Sequence, residues 1–222
     1  MVKNSTILNG NEIFKKSYFK KHEAELLDLV ENGQHPKALF IGCADSRVVP
    51  NLITQTAPGE LFVIRNIGNF VAPFKPDGDF HSTASGIEYA VQVLDVKEII
   101  ICGHTHCGAI ASLYGDLDDK KFVHTKKWLS LGEKPKELAI KALGTSQANE
   151  ELLRLTEKLS VVAQIENLLT YPFVKERVER DTLHLHGWIY DLASGKIEYY
   201  DPDEKRFLSH DDLRAKKRGD LS

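Results

Sequence analysis

The 222-residue sequence has only three cysteines, too few for a disulfide framework in a chain of this length. No apolar run approaches the roughly 18 residues of a transmembrane helix. No apolar segment follows the polar start at residues 1–5, so we expect no export. The net charge of −3, with Lys and Arg spread among Asp and Glu, gives no basic footprint for nucleic acid or an anionic membrane. These absences predict a protein of the reducing cytoplasm with no nucleic-acid or membrane partner.

The residues that are present favour an α/β fold. Residues with hydrophobic side chains make up 42% of the chain, which is enough for a substantial core. Apolar runs predict buried strands at residues 38–41, 60–66 and 98–103, and helical periodicity predicts helices among and after them. This order is typical of a mainly parallel sheet flanked by helices. A strand at 182–190, a turn at Ser194-Gly195 and a returning strand at 196–200 predict an antiparallel edge hairpin.

The length favours a single domain spanning residues 1–222. Within it we distinguish a helical arm (1–33), a core (34–200) and a polar, peripheral tail (201–222). The clearest helix covers residues 149–169, where apolar residues recur at helical spacing. That stripe consists of Leu152, Leu155, Leu159, Val162, Ile165 and Leu169.

Chemically able side chains follow the first strand at alternate positions. Cys43 can supply a thiolate, which is a nucleophile or a soft metal ligand. Asp45 can accept hydrogen bonds, and Arg47 can keep that carboxylate ionised through a two-point contact. Taken alone, the motif is equally consistent with a strand end that carries an incidental cysteine and a surface ion pair.

A second strand end strengthens the functional reading. Residues 98–103 lead into His104-Thr105-His106-Cys107, and both strand ends would meet at the carboxyl edge of a parallel sheet. Cys43, Cys107 and one imidazole form a set that suits zinc, and three protein ligands leave a fourth position open for catalysis. The imidazole is that of His104 or His106, and the three-residue spacing to Cys107 favours His104. Cys102 lies within the strand and reads as a buried apolar residue.

In combination these motifs resemble the β-class carbonic anhydrases. The similarity rests on Cys43-x-Asp45-x-Arg47 and His104-x-x-Cys107, and it extends over most of residues 33–190. The further matching segments are 58–69, 86–90, 103–108 and 167–174.

The resemblance implies a central four-stranded parallel sheet, an N-terminal arm that embraces a second subunit, and a homodimer or a dimer of dimers. It implies reversible hydration of carbon dioxide to bicarbonate and a proton by a hydroxide held on one Zn2+ per chain. Cys43, His104 and Cys107 would bind the zinc, and Asp45 and Arg47 would form the catalytic dyad beside it. The residues implied in substrate binding are Gln34, Phe62, Ile67, Tyr89 and Gly108, with Gln34 reaching the neighbouring subunit's site.

Three other functions remain open on the sequence. The same scaffold can hydrolyse carbonyl sulfide or carbon disulfide with the same ligands. A non-catalytic zinc protein would use Asp45 as a permanent fourth ligand. A hydrolase would use Cys43 as its nucleophile with a histidine as base.

Overall fold

Six strands form one sheet, and the computed structural model describes them within residues 6–118 and 120–218. The strands are β1 (Ala38–Cys43), β2 (Leu61–Asn66), β3 (Glu98–His104), β4 (His184–Tyr190), β5 (Ile197–Asp201) and β6 (Arg206–Leu208). Their order in the sheet is β2-β1-β3-β4-β5-β6. The first four are parallel, and β5 and β6 are antiparallel additions. The predicted α/β fold is confirmed, and β6 extends the antiparallel edge by a strand that its polar surroundings did not indicate.

Helices connect and cover these strands. They are α1 (Thr6–Phe14), α2 (Glu23–Asn32), α3 (Pro50–Thr54), α4 (Ser82–Glu88), α5 (Gly108–Ser112), α6 (Val123–Leu129), α7 (Glu133–Leu143), α8 (Glu150–Leu168), α9 (Pro172–Glu179) and α10 (His210–Arg218). The arm is helical as predicted, but a π-helical turn at Lys15–Phe19 follows α1, and His22 has a non-helical backbone before α2. Within the described ranges, no helix combines the length and apolar character that crossing a bilayer would require.

The core lies on both faces of β1 and β3. Every residue of β1 is buried, and in β3 only Glu98 is partly exposed. Strands that are covered on both faces need continuous apolar runs, which is why Leu39–Ile41 and Ile99–Ile101 lack the alternation of a half-exposed strand. The apolar runs therefore fix the two strands whose ends carry the cysteine and histidine motifs.

Helix α8 packs closely on β3 and β4 because each strand has a glycine beneath it. A Cβ atom at Gly103 would lie 2.7 Å from a methyl group of Val161. A Cβ atom at Gly187 would lie 2.9 Å from Ile165 and equally close to Val161. The helix begins as predicted after Asn149, whose side chain accepts a hydrogen bond from the backbone N–H of Leu152 at 2.8 Å. This close approach brings α8 side chains to the carboxyl edge of β3.

The buried face of α8 differs from the predicted apolar stripe. Leu152 is fully buried, but the four central members of the stripe are half-buried and Leu169 is exposed. The buried positions are instead mainly polar or small: Thr156, Glu157, Ser160, Val161, Ala163, Gln164 and Leu168 accompany Leu152. The periodicity predicted the helix correctly but not the face that it turns inward, since only apolar positions were counted.

The N-terminal arm exposes large apolar side chains. Ile7 is 84% exposed and Val30 is 79% exposed, although both lie in helices with apolar residues at helical spacing. Ile13 and Phe14 are also exposed. An exposed apolar surface of this kind is typical of a region that packs against another chain.

The central position of Ile99 predicts a graded loss of stability when its side chain is shortened. Ile99 is fully buried in the main core cluster and lies opposite Leu39 and Leu185 in the neighbouring strands. We expect Ile99→Ala to lower the free energy of unfolding by about 2–5 kcal/mol and Ile99→Val by about 0.5–1.5 kcal/mol. Chemical denaturation at one protein concentration measures both, and equal losses in the two variants would contradict this packing.

Candidate metal centre

The ends of β1 and β3 bring a metal-binding set together. The two strands are parallel neighbours, with Gly42 opposite Cys102, so Cys43 and His104 end at the same edge. Cys107 follows in the turn that leads into α5. One ligand atom from each of Cys43, His104 and Cys107 lies within 4.8 Å of the other two, and all three residues are buried. This edge is where parallel α/β sheets bind ligands.

The structure distinguishes His104 from His106. His106 is exposed, has a positive φ of 58° and lies outside the cluster. His104 is 1% exposed and is the imidazole of the cluster. Cys102 is also outside it, and burial raises the pKa of its thiol to about 12. The three-residue spacing therefore selected the histidine that the fold brings to the cysteines.

The orientation of the His104 ring leaves one nitrogen for a metal ion. Its Nδ1 lies 2.9 Å from the carbonyl oxygen of Thr105, so Nδ1 carries the proton and donates it there. The Nε2 atom is buried and has no hydrogen-bond partner among the residues that the structure describes. An unpartnered buried acceptor is costly, and a metal ion in the cluster would satisfy it.

Thr105 is fixed in turn by the end of β4. Its hydroxyl donates to Asp191 Oδ1 at 3.0 Å and accepts from the backbone N–H of Leu192 at 3.0 Å. Its own N–H donates to the carbonyl of Tyr190. The carbonyl that orients His104 is thus held on a rigid strand end.

The donor set fits zinc. Two sulfur atoms and one imidazole nitrogen are ligands that zinc prefers, and a structural site would require a fourth protein donor. The pKa of Cys43 is lowered, chiefly by the Cys107 side chain that lies beside its sulfur. The lowered pKa favours the thiolate, which is the form that binds metal.

Asp45 and Arg47 form the predicted pair beside this cluster. Arg47 donates from Nε to Asp45 Oδ1 at 2.9 Å and from Nη2 to Oδ2 at 2.7 Å, and the backbone N–H of Arg47 also donates to Oδ1. These contacts hold the pKa of Asp45 well below its usual range. Asp45 Oδ2 nevertheless lies 4.0 Å from His104 Nε2. The carboxylate is therefore close to the candidate metal position, but both of its oxygen atoms accept hydrogen bonds from the guanidinium of Arg47.

Arg65 stabilises the loop that carries this pair. Its Nε donates to the carbonyl of Cys43 at 3.1 Å, and its Nη2 donates to the carbonyl of Asp45 at 2.6 Å. Because Arg65 lies in β2, it ties the edge of the sheet to the segment that leaves β1. The sequence pattern did not indicate these two backbone contacts.

A buried acid on α8 was missed by the sequence analysis. Glu157 is 3% exposed, and its Oε1 accepts a hydrogen bond from the backbone N–H of Cys107 at 2.9 Å. Burial raises the pKa of Glu157 to about 7. Arg154 pairs with its carboxylate. A signal was present, because Glu157, Ser160 and Gln164 recur at helical spacing, but an analysis of apolar periodicity passes over such polar positions.

The residues implied in substrate binding occupy two regions. Gly108 is the first residue of α5, next to Cys107, and open space surrounds the position of a Cβ atom there. Ile67 follows β2, is 47% exposed and lines a cleft of about 870 Å³ with Arg65 and Trp128. Both therefore lie near the strand ends that carry the cluster.

The other three lie away from the cluster of their own chain. Phe62 pairs in register with Leu39, four residues before Cys43, which corresponds to about 13 Å along the strand. The rings of Phe62 and Tyr89 are in contact, with centroids 5.9 Å apart. Gln34 is exposed in the segment before β1.

Comparisons with known proteins agree with the geometry of the site. Residues 38–197 match the model of a family described as carbonic anhydrase. A carbonic anhydrase of Pseudomonas aeruginosa is 40% identical over 215 residues, which cover 94% of each chain. A carbonic anhydrase of Synechocystis is 38% identical over 196 residues, or 88% of this chain and 70% of the relative.

Solved structures give the same result. The β-carbonic anhydrase CcaA superposes with a TM-score of 0.84 at 36% identity, covering 91% of this chain and 90% of that one. One of the tetrameric β-carbonic anhydrases of Sordaria macrospora superposes with a TM-score of 0.76 at 30% identity, covering 87% of this chain and 94% of that one.

Proposed function

This chain belongs to the β-class carbonic anhydrases, and from that premise we propose that it hydrates carbon dioxide reversibly to bicarbonate and a proton with one zinc ion per chain. The observation that carries the proposal is the buried Nε2 of His104. It has no partner among the described residues, and the His104 ring offers a nitrogen within 4.8 Å of the sulfur atoms of Cys43 and Cys107. Zinc bound by these three residues would lower the pKa of a coordinated water, so that hydroxide is available near neutral pH.

Asp45 and Arg47 orient the nucleophile in this proposal. Asp45 stays ionised because Arg47 donates two side-chain hydrogen bonds to its carboxylate. An ionised carboxylate can accept a hydrogen bond from the attacking oxygen and turn a lone pair of that oxygen towards carbon dioxide. The same pairing with Arg47 keeps Asp45 from acting as a fourth ligand, which argues against a permanently closed, non-catalytic site.

Gly108 would stabilise the developing charge on the substrate. Its backbone N–H follows directly after Cys107, and apart from its own helix and chain neighbours no described residue lies within 4 Å of the position of a Cβ atom at Gly108. A small linear substrate can therefore approach the N–H closely, and a donated hydrogen bond stabilises negative charge on a substrate oxygen. Ile67 would line the apolar side of the same space.

We propose that the active assembly is a homo-oligomer. The apolar surface of the arm needs a partner to cover it, and Sordaria macrospora relatives are described as tetrameric. Phe62 lies opposite Leu39, about 13 Å along the strand from Cys43, and its ring contacts Tyr89, while Gln34 is exposed before β1. They would instead contribute to the site of a neighbouring subunit. The three free cysteines agree with action in the reducing cytoplasm.

Stopped-flow hydration of carbon dioxide tests the function directly. We expect rapid hydration by the protein as purified, a fall to the uncatalysed rate after zinc is removed with a chelator, and recovery when zinc is restored. Hydration that persists in the fully metal-free protein would contradict the proposal. A higher rate on carbonyl sulfide than on carbon dioxide would favour the sister hydrolase activity.

The cysteines provide a matched test of the ligand set. We expect Cys43→Ser to lose bound zinc, since a serine hydroxyl is a poor substitute for a thiolate. Cys102→Ala should keep one zinc per chain because Cys102 lies outside the cluster. Elemental analysis after desalting measures the stoichiometry. Full zinc content in Cys43→Ser would exclude this ligand set and leave a nucleophilic Cys43 open.

Arg47 provides a test of the dyad. In Arg47→Ala, Asp45 loses its two-point partner and is free to bind the metal, so we expect kcat to fall about 100-fold. Arg47→Lys keeps the positive charge but not the fork geometry, and it should show an intermediate kcat. Zinc content should remain unchanged in both variants. Wild-type kinetics in Arg47→Ala would rule out the role of the pair.

A further inference from the structure

One peptide group beside the metal cluster is held from both of its ends. The carbonyl oxygen of His106 accepts a hydrogen bond from Arg47 Nη2 at 3.1 Å. The backbone N–H of Cys107 donates to Glu157 Oε1 at 2.9 Å. These two atoms belong to the same planar peptide unit. Arg47 and Glu157 therefore act on one rigid group from opposite sides.

The backbone at this peptide needs such support. His106 has a φ of 58°, in the left-handed region that residues other than glycine seldom adopt because it is sterically strained. The turn nevertheless has to keep this conformation, because it places His104 and Cys107 within reach of one ion. Contacts that fix the peptide compensate for that strain.

A buried glutamate costs more free energy than an apolar side chain would if its role were only to fill the core. Glu157 is only 3% exposed, and burying a charge destabilises a protein unless the charge is paired. Arg154 provides the pairing. Its Nη2 donates to Oε1 at 2.9 Å, and its Nε lies 2.9 Å from Oε2. The ion pair keeps an acceptor with strong hydrogen-bonding capacity directed at Cys107.

We propose that Glu157, held by Arg154, is a positioning residue that locks the His106–Cys107 peptide and thereby fixes the Cys107 sulfur in the metal cluster. The proposal rests on the zinc site of the proposed function. Glu157 is not a member of the metal-binding cluster, and it acts through the backbone of a ligand. Hydrogen bonds to groups that carry metal ligands commonly change metal affinity by about 10- to 100-fold.

The same helix offers a matched control. Gln164 is fully buried in α8, and its Oε1 accepts a hydrogen bond from the backbone N–H of Val71 at 2.9 Å. This is the same kind of contact as that of Glu157, two turns further along and directed at the core rather than at the turn. Gln164→Ala should therefore destabilise the fold without altering the metal site.

The experiment measures zinc release from the loaded proteins into an excess of a chromogenic chelator. We expect Glu157→Ala to release zinc at least about 10-fold faster than the wild type. Glu157→Gln should lie between the two, since its amide oxygen can still accept from Cys107 but no longer pairs with the charge of Arg154. Gln164→Ala should stay within about twofold of the wild type.

Cobalt substitution separates positioning from general loss of stability. The sulfur-to-cobalt charge-transfer band reports the thiolates directly, and we expect it to change in Glu157→Ala but not in Gln164→Ala. If Glu157→Ala does not fold, the same comparison is made with Glu157→Gln. Wild-type release and spectra in the Glu157 variants, or equal changes in Gln164→Ala, would overturn the positioning role. A wild-type protein that binds no zinc would instead overturn the proposed function.

Discussion

The buried Nε2 of His104 is the constraint from which the rest of the site follows. A ring nitrogen with a free lone pair is placed beside two sulfur atoms, away from water, with no partner among the described residues. This arrangement costs free energy in the metal-free chain and becomes favourable once a cation is bound. The Thr105 carbonyl enforces it by accepting a hydrogen bond from Nδ1–H, and Asp191 fixes Thr105. The folded chain therefore holds the three candidate ligands in place at the edge of its sheet before a cation binds.

Each of the three candidate ligands is held by a different part of the fold. His104 depends on the end of β4 through Thr105, and Cys107 depends on α8 through Glu157. Cys43 is held through its carbonyl by Arg65 of β2. Since these supports converge from three elements, the geometry of the cluster depends on the packing of the whole sheet rather than on the two short motifs alone. Gly103 contributes in the same way, because its missing side chain allows α8 to approach.

The sequence predicted the parts of this protein that depend on local pattern. Buried parallel strands need continuous apolar runs, and a turn that enters a helix needs the spacing of His104 and Cys107, so both could be recognised along the chain. The inward face of α8 could not, because it is decided by contacts with residues some 50 positions away. Glu157 has a neighbour in Cys107 only once the chain has folded. The central residues of the apolar stripe on the same helix are only half-buried in the single chain. Periodicity predicts which residues share a helix face, but it does not predict how deeply that face is buried.

Charge balance explains how so many ionisable groups are tolerated at this edge. Asp45 is paired with Arg47, and the buried Glu157 is paired with Arg154, so neither acid adds net charge to the site. With zinc bound as proposed, two thiolates would balance the ion as well. Buried charges cost least when each is compensated locally. Local pairing therefore explains how two acids can lie beside the cluster.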